Sequence, residues 1–189
     1  MRSIRGLYVI RSGVPALARS VRADNQDQGD EPAAGAASAG DGMSGETLEL
    51  EFSRFGAWYE IDSYFEGRYL ERTQRGSFKK TIAERGDQMK VLFNHGFDFS
   101  IGDKVLGVPE TLEERETSPY AAVPLLDTSY NRDLIPGLRA GAYGSSFMFE
   151  VLGEQWNREP ERSEYNPEAL PERTITEVRL YEAGPGTGP

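Results

Sequence analysis

The chain has no cysteine and only one histidine in 189 residues. Without thiols there is no disulfide framework, zinc-thiolate site, iron–sulfur cluster or cysteine nucleophile. One imidazole also excludes a histidine-rich metal site, so no cofactor is expected. Long apolar runs are missing: none approaches the ~20 residues a membrane span needs. Hydrophobic residues make up 38% of the chain. That is below the roughly 45–50%, glycine included, of a compact domain, so part of the chain is not core. Positive charge is in short supply too, with 21 Lys+Arg against 31 Asp+Glu and a net charge of −10. Such a surface repels phosphates, so neither nucleic acid nor a membrane is an expected partner.

The charge that is present is unevenly spread. Residues 1–22 hold five arginines and no acid, and residues 23–47 hold six acids and no base. The acidic block, DNQDQGDEPAAGAASAGDGMSG, has almost no large apolar side chain. It cannot bury enough surface to offset its ordering entropy and reads as a disordered linker. Ala16-Leu17-Ala18 in the basic leader resembles a signal-peptide cleavage site, but Arg11, Gly13 and Pro15 break the apolar stretch. The leader reads instead as an unstructured tail or a peptide that orders on a partner. The chain therefore divides into a basic segment (1–22), a linker (23–47) and a folded unit (48–189).

Within the folded unit, Leu48, Leu50 and Phe52 alternate with Glu49 and Glu51, the pattern of a half-buried strand. Residues 57–65 read as a second strand. Ser77 is placed to cap a short helix with Phe78 and Ile82 on one face and Gly86 at its end. Met89, Val91, Phe93 and His95 alternate along a strand over 88–95. Residues 120–126 form a weaker strand. Asp127, Thr128 or Ser129 caps a helix striped by Tyr130, Leu134 and Leu138, which Pro136 should kink or split and Gly141 should stop. Strands follow at 143–152 and 173–182, with a loop over 154–171. Short strands and few helices predict a mainly β, α+β fold, either barrel or sandwich, with helices outside.

Candidate chemistry centres on His95, at a strand end in LFNHG. A lone histidine is often structural, but any hydrolase using an imidazole base must use this one. Asn94 beside it can orient the ring or cap the turn. Ser145 and Ser146 lie inside the apolar run GSSFMF. Alternation puts Ser145 with Phe147, Phe149 and Val151, and Ser146 with Met148 and Glu150 on the opposite face. Ser146 is thus the better nucleophile candidate. Met148 replaces the second glycine of a G-x-S-x-G elbow, which argues against an α/β-hydrolase. The third member of a triad can come from the last strand. There Glu182 shares a face with Thr176, Val178 and Leu180, while Glu177 shares the other with Ile175, Arg179 and Tyr181. Gly141 and Gly144 are candidates for close backbone approach at an oxyanion site or, more simply, for turns. Abundant acids also admit a glycosidase pair, though a solvated acidic face explains them better.

The ordered run GRYLERTQRGSFKKTI, LFNHG, LLDTSYNRDL, GSSFMFEV and RTITEVRLYEAGP resembles the prohead (capsid maturation) protease family of tailed bacteriophages. The resemblance spans roughly residues 47–185. It implies a mostly antiparallel β-barrel of the herpesvirus assemblin type, flanked by helices, and a serine endopeptidase activity. It places the family histidine at His95, the serine at Ser146 and the acid at Glu182, with Glu177 as runner-up. The implied substrates are the scaffolding region of a capsid protein, a separate scaffold, or the chain itself. Activity inside the assembling prohead in the bacterial cytoplasm follows, as does a homodimer. After the acid the family usually continues with a Val-Thr-x-Pro-Ala-Tyr-like stretch, where this chain has AGPGTGP. That departure keeps a second reading open, a catalytically inactive capsid assembly or scaffold-binding module of the same fold.

Overall fold

The computed structural model describes residues 9–12, 18–22 and 42–187, the first two stretches by their backbone alone. In chain order the elements are β1 (Val9–Ser12), β2 (Ala18–Arg22), β3 (Met43–Glu51), β4 (Tyr59–Ser63), β5 (Gly67–Thr73), α1 (Lys79–Arg85) and β6 (Lys90–Val91). β7 (Thr111–Glu114), β8 (Pro119–Leu126), α2 (Ser129–Arg139), β9 (Gly144–Asn157) and β10 (Glu172–Gly186) complete them. Residues 43–47, expected in the linker, are strand. Two short stretches of the basic leader are strand as well. The rest of the expected linker, 23–41, lies outside the described residues.

The strands form two sheets. One is six-stranded, in the order β1-β9-β10-β5-β4, with β6 also pairing to β10; the other runs β2-β3-β8-β7. Pairing is antiparallel except where β5 and β6 run parallel to β10. The fold is thus mainly β with two short helices, as expected, but the sheets are not closed into a barrel. Among the described residues no strand of one sheet pairs with a strand of the other; Phe55, beyond the end of β3, makes only an isolated bridge to Thr73 of β5.

What joins the sheets is a shared core. Leu48 and Leu50 of β3 and Val123 and Leu125 of β8 belong to the same buried cluster as Phe147 and Phe149 of β9 and Ile175, Val178 and Leu180 of β10. Phe52 sits at the join, its ring 5.8 Å from Phe78 and 5.7 Å from Phe147. Burial of this kind is worth ~1.5–3 kcal/mol per large apolar side chain, and it is what holds the sheets in register.

Both helices depart from expectation in instructive ways. Ser77 does not cap α1; its hydroxyl is buried without a partner. Glu114 of β7 instead holds the turn that leads into α1, taking the Gly76 N–H at 3.0 Å and the Phe78 N–H at 2.7 Å. Pro136 does not split α2, which runs as one helix capped by Thr128. The proline is on the exposed side, where water can take the carbonyl it leaves unbonded, while Asn131, Leu134 and Leu138 face inward.

Candidate active site

β9 and β10 run side by side as the long central pair of the larger sheet. On β9, alternation separates two adjacent serines. Ser145 lies on the side of Phe147 and Phe149, and its hydroxyl donates to the Glu51 carbonyl at 2.6 Å. That bond satisfies a polar group in the core and gives it a structural role. Ser146 points to the other face, where its Oγ lies 2.5 Å from Nε2 of His95.

Glu182 reaches that same face because β10 is irregular. Simple alternation puts Glu182 with Leu180, on the core side. The ladder instead shifts register between Leu180 and Glu182: Leu180 lies opposite Phe149, but Glu182 lies opposite Met148. Residues directly opposite each other share a face. One extra residue therefore carries Glu182 across to the side of Ser146, the re-aiming that β-bulges produce beside functional sites. A second irregularity, between Ile175 and Val178, brings Ile175 to the core side with Val178 and Leu180.

His95 arrives by a turn rather than by a strand. The expected strand over 88–95 ends at Val91. Beyond it, Asn94 (φ 47°), His95 (φ 58°) and Gly96 (φ 77°) are all left-handed. Asparagine, histidine and glycine are among the residues that tolerate this region. The turn needs space over β10, and two glycines provide it. Gly184 is the residue opposite Ser146, and a Cβ there would sit 1.7 Å from the Leu92 carbonyl oxygen. A Cβ on Gly186 would lie 2.9 Å from Asn94 Oδ1 and 3.8 Å from Ser146 Oγ. Residues 92–95 thus pass across a bare strip of β10, next to the serine.

The result is a linear array. His95 Nδ1 bonds Glu182 Oε1, and His95 Nε2 faces the Ser146 hydroxyl. The side chains of His95 and Glu182 are 10% and 5% exposed, so both bonds form in a site largely cleared of water. The second oxygen of Glu182 is buried with no partner. A carboxylate held this way fixes the ring with Nδ1–H toward the acid and the Nε2 lone pair toward the hydroxyl. It also stabilises the positive charge that the ring acquires on taking a proton.

Other candidates lie elsewhere. Glu177 forms an exposed ion pair with Lys80 at 2.9 Å and takes no part in the array. Gly141 ends α2 in open space, and Gly144 pairs with Gly186 in the ladder. Among the described residues no cluster of His, Asp and Glu is arranged to hold a metal ion, and no helix is long and apolar enough to cross a membrane. Sequence reasoning missed the glycine strip, whose only signal is the Gly-Pro-Gly after Glu182. It missed β1 as well, which lies along β9 with Ser12 opposite Ser146.

The family model described as caudovirus prohead serine protease matches residues 42–189. No curated protein matches the chain. Among solved structures, the bacteriophage T4 capsid assembly protease gp21 is similar at 12% identity with a TM-score of 0.43, covering 75% of this chain and 98% of that one.

Proposed function

The chain belongs to the caudovirus prohead serine protease family, and from that premise we propose that it is an endopeptidase of Ser-His-Glu type that cuts capsid or scaffold protein during prohead maturation. The observation that carries this reading is the Ser146 hydroxyl 2.5 Å from the His95 ring, with Glu182 bonded to the ring's other nitrogen.

The chemistry follows from the array. Ser146 Oγ attacks the scissile carbonyl carbon while its proton passes to His95 Nε2. The ring, now cationic, is held by Glu182 through Nδ1–H. When the tetrahedral intermediate collapses, the C–N bond breaks and Nε2 returns the proton to the leaving amine. Water then enters, gives a proton to the same nitrogen and releases the acyl group, restoring the serine hydroxyl. Burial strengthens each of these charge interactions relative to water.

Self-processing is part of the proposal. Residues 9–12 pair with β9, with Ser12 opposite Ser146, so part of the chain's own N-terminal segment runs alongside the strand that carries the serine. Neighbouring capsid or scaffold chains are the substrates in trans, and the interior of the assembling prohead is the place of action.

The test is Ser146→Ala, co-expressed with the candidate capsid protein, with the products and the chain's own N terminus read by mass spectrometry. Processing should cease. Equal shortening with the alanine variant removes Ser146 from the mechanism and leaves the inactive assembly module as the better reading.

A further inference from the structure

Asn94 is adjacent to the imidazole yet absent from the proton path. Its side chain nevertheless makes a long-range contact. Oδ1 accepts the Thr187 N–H at 2.8 Å and lies 3.4 Å from the Thr187 hydroxyl, which joins the histidine turn to the end of the strand that carries Glu182. The contact is close enough that a Cβ on Gly186 would press on Oδ1 at 2.9 Å. Meanwhile β6, which leads into the turn, is held to β10 only as far as Val91, opposite Ala183.

The turn has reason to need a tether. Two successive non-glycine residues, Asn94 and His95, sit at positive φ; each tolerates that region singly, but holding both there has a conformational cost that surrounding contacts must offset. Within the turn itself the bonds are local: Gly96 N–H to the Phe93 carbonyl and Phe97 N–H to the Asn94 carbonyl, each 2.9 Å. These close the turn but do not say where it lies over the sheet. Asn94 supplies that information, because its partner, Thr187, directly follows the strand that carries Glu182.

We propose that Asn94 is a positioning residue: its amide oxygen, clamped on the Thr187 N–H over the bare Cα of Gly186, sets the His95 ring between Ser146 and Glu182. This rests on the triad reading above. A ring displaced by about 1 Å costs on the order of 100-fold in rate, so a clamp of this kind controls kcat rather than substrate binding.

The test uses the full chain with Asn94→Gly, Asn94→Asp and Thr187→Pro. Glycine keeps the positive φ without strain and removes the clamp. Aspartate keeps the accepting oxygen. Proline removes the donor N–H and leaves Asn94 in place. One readout is the rate of labelling by a fluorophosphonate, which reports on nucleophile activation. The other is the Nδ1–H resonance of the imidazole, unambiguous because the chain has a single histidine.

Asn94→Gly and Thr187→Pro should each slow labelling by roughly 100-fold and broaden or remove the resonance, with an unfolding midpoint near that of the parent. Combined, they should cost no more than either alone, since both break one contact. Asn94→Asp should retain the resonance and label within about tenfold of the parent. Parent-like labelling by Asn94→Gly overturns the proposal. So does an unchanged resonance in a slowed Asn94→Gly, or an Asn94→Asp as slow as the glycine variant. Ser146→Ala separates this from failure of the triad reading: labelling of that variant sinks the triad, whereas loss of the clamp shows in the resonance. For a preparation that does not label, the resonance alone decides.

Discussion

Glu71 and Glu182 are both buried carboxylates in the larger sheet, 0% and 4% exposed, on strands that flank each other. Their surroundings differ. Glu71 receives the Tyr59 hydroxyl at 2.7 Å on one oxygen and the Arg173 guanidinium at 3.0 Å on the other. Arg173 also holds Glu154 and the Tyr69 hydroxyl. Burial works against the guanidinium's charge, yet the charges of Glu71 and Glu154 and the bond to the Tyr69 hydroxyl outweigh it, and the net shift in its pKa is upward. Glu182 has one oxygen on His95 and the other buried with no partner. A buried carboxylate with an unused oxygen is a poor device for stability. The contrast teaches that two residues of one type, on neighbouring strands, serve opposite ends. Glu71 satisfies a structural network, while Glu182 spends its one bonded oxygen on the His95 ring.

Substituting the two acids identically should separate these ends most widely. Glu182→Gln keeps the shape but removes the charge that steadies a protonated ring and permits the wrong tautomer, so cleavage should fall by ~10⁴-fold. The unfolding midpoint should stay near the parent's, because losing the desolvated charge offsets the weaker bond. A variant that cuts at the parental rate would show that Glu182 is as structural as Glu71. Glu71→Gln should do the reverse. It leaves Arg173 buried and short of a partner, at a cost of about 3 kcal/mol measured by denaturant unfolding. Activity per folded molecule should be unchanged.

That division was only partly legible in the sequence. Alternation on β9 separates Ser146 from Ser145, because a regular strand obeys period two. It fails on β10, where it assigns Glu182 to the core side with Leu180. A bulge is one residue of register, set by how the strand meets both neighbours, and no local pattern announces it. His95 shows the same limit: the apolar alternation of Met89, Val91 and Phe93 points to a strand that continues, while Asn-His-Gly turns the chain out of it. Strands β3, β4, β8, β9 and β10 were readable because apolar periodicity dictates them, whereas β5 and β7 were not expected and β9 runs on to Asn157, into the expected loop. Barrel closure was not readable, because it depends on pairing between distant strands. The support of the turn into α1 was also hidden, since its N–H groups are met by Glu114, which lies 36 residues beyond Phe78.

Glu114 extends the comparison to a partly buried acid with a purely structural task. Both its oxygens accept backbone N–H groups of the turn that enters α1. Glu114→Ala should cost about 1.5–3 kcal/mol of stability, the range for hydrogen bonds to a charged group. Cleavage should be unaffected, since α1 lies outside the array. A loss of activity without loss of stability would place α1 in the catalytic machinery and blur the line drawn between the two kinds of acid.

The smallest effect is expected at Asp98, a half-buried acid three residues past His95. Its carboxylate accepts from the Ser100 hydroxyl at 2.6 Å and from the Ser100 and Ile101 N–H groups, each at 2.9 Å. These bonds favour the ionised form, the Ser100 hydroxyl most, and lower its pKa from the ordinary aspartate value of 3.8. The sign follows directly. A depressed pKa in the folded chain means that the turn's contribution is fully present above 3.8 and is lost as pH falls through the lower, folded value. The Ser100 and Ile101 amide resonances should therefore titrate with a midpoint below 3.8. Asp98→Asn keeps an accepting oxygen and should abolish that titration. A midpoint at or above 3.8 in the parent would mean that the turn draws nothing from the charge. Asp98 would then differ from Glu182 and Glu71 in having no electrostatic role at all.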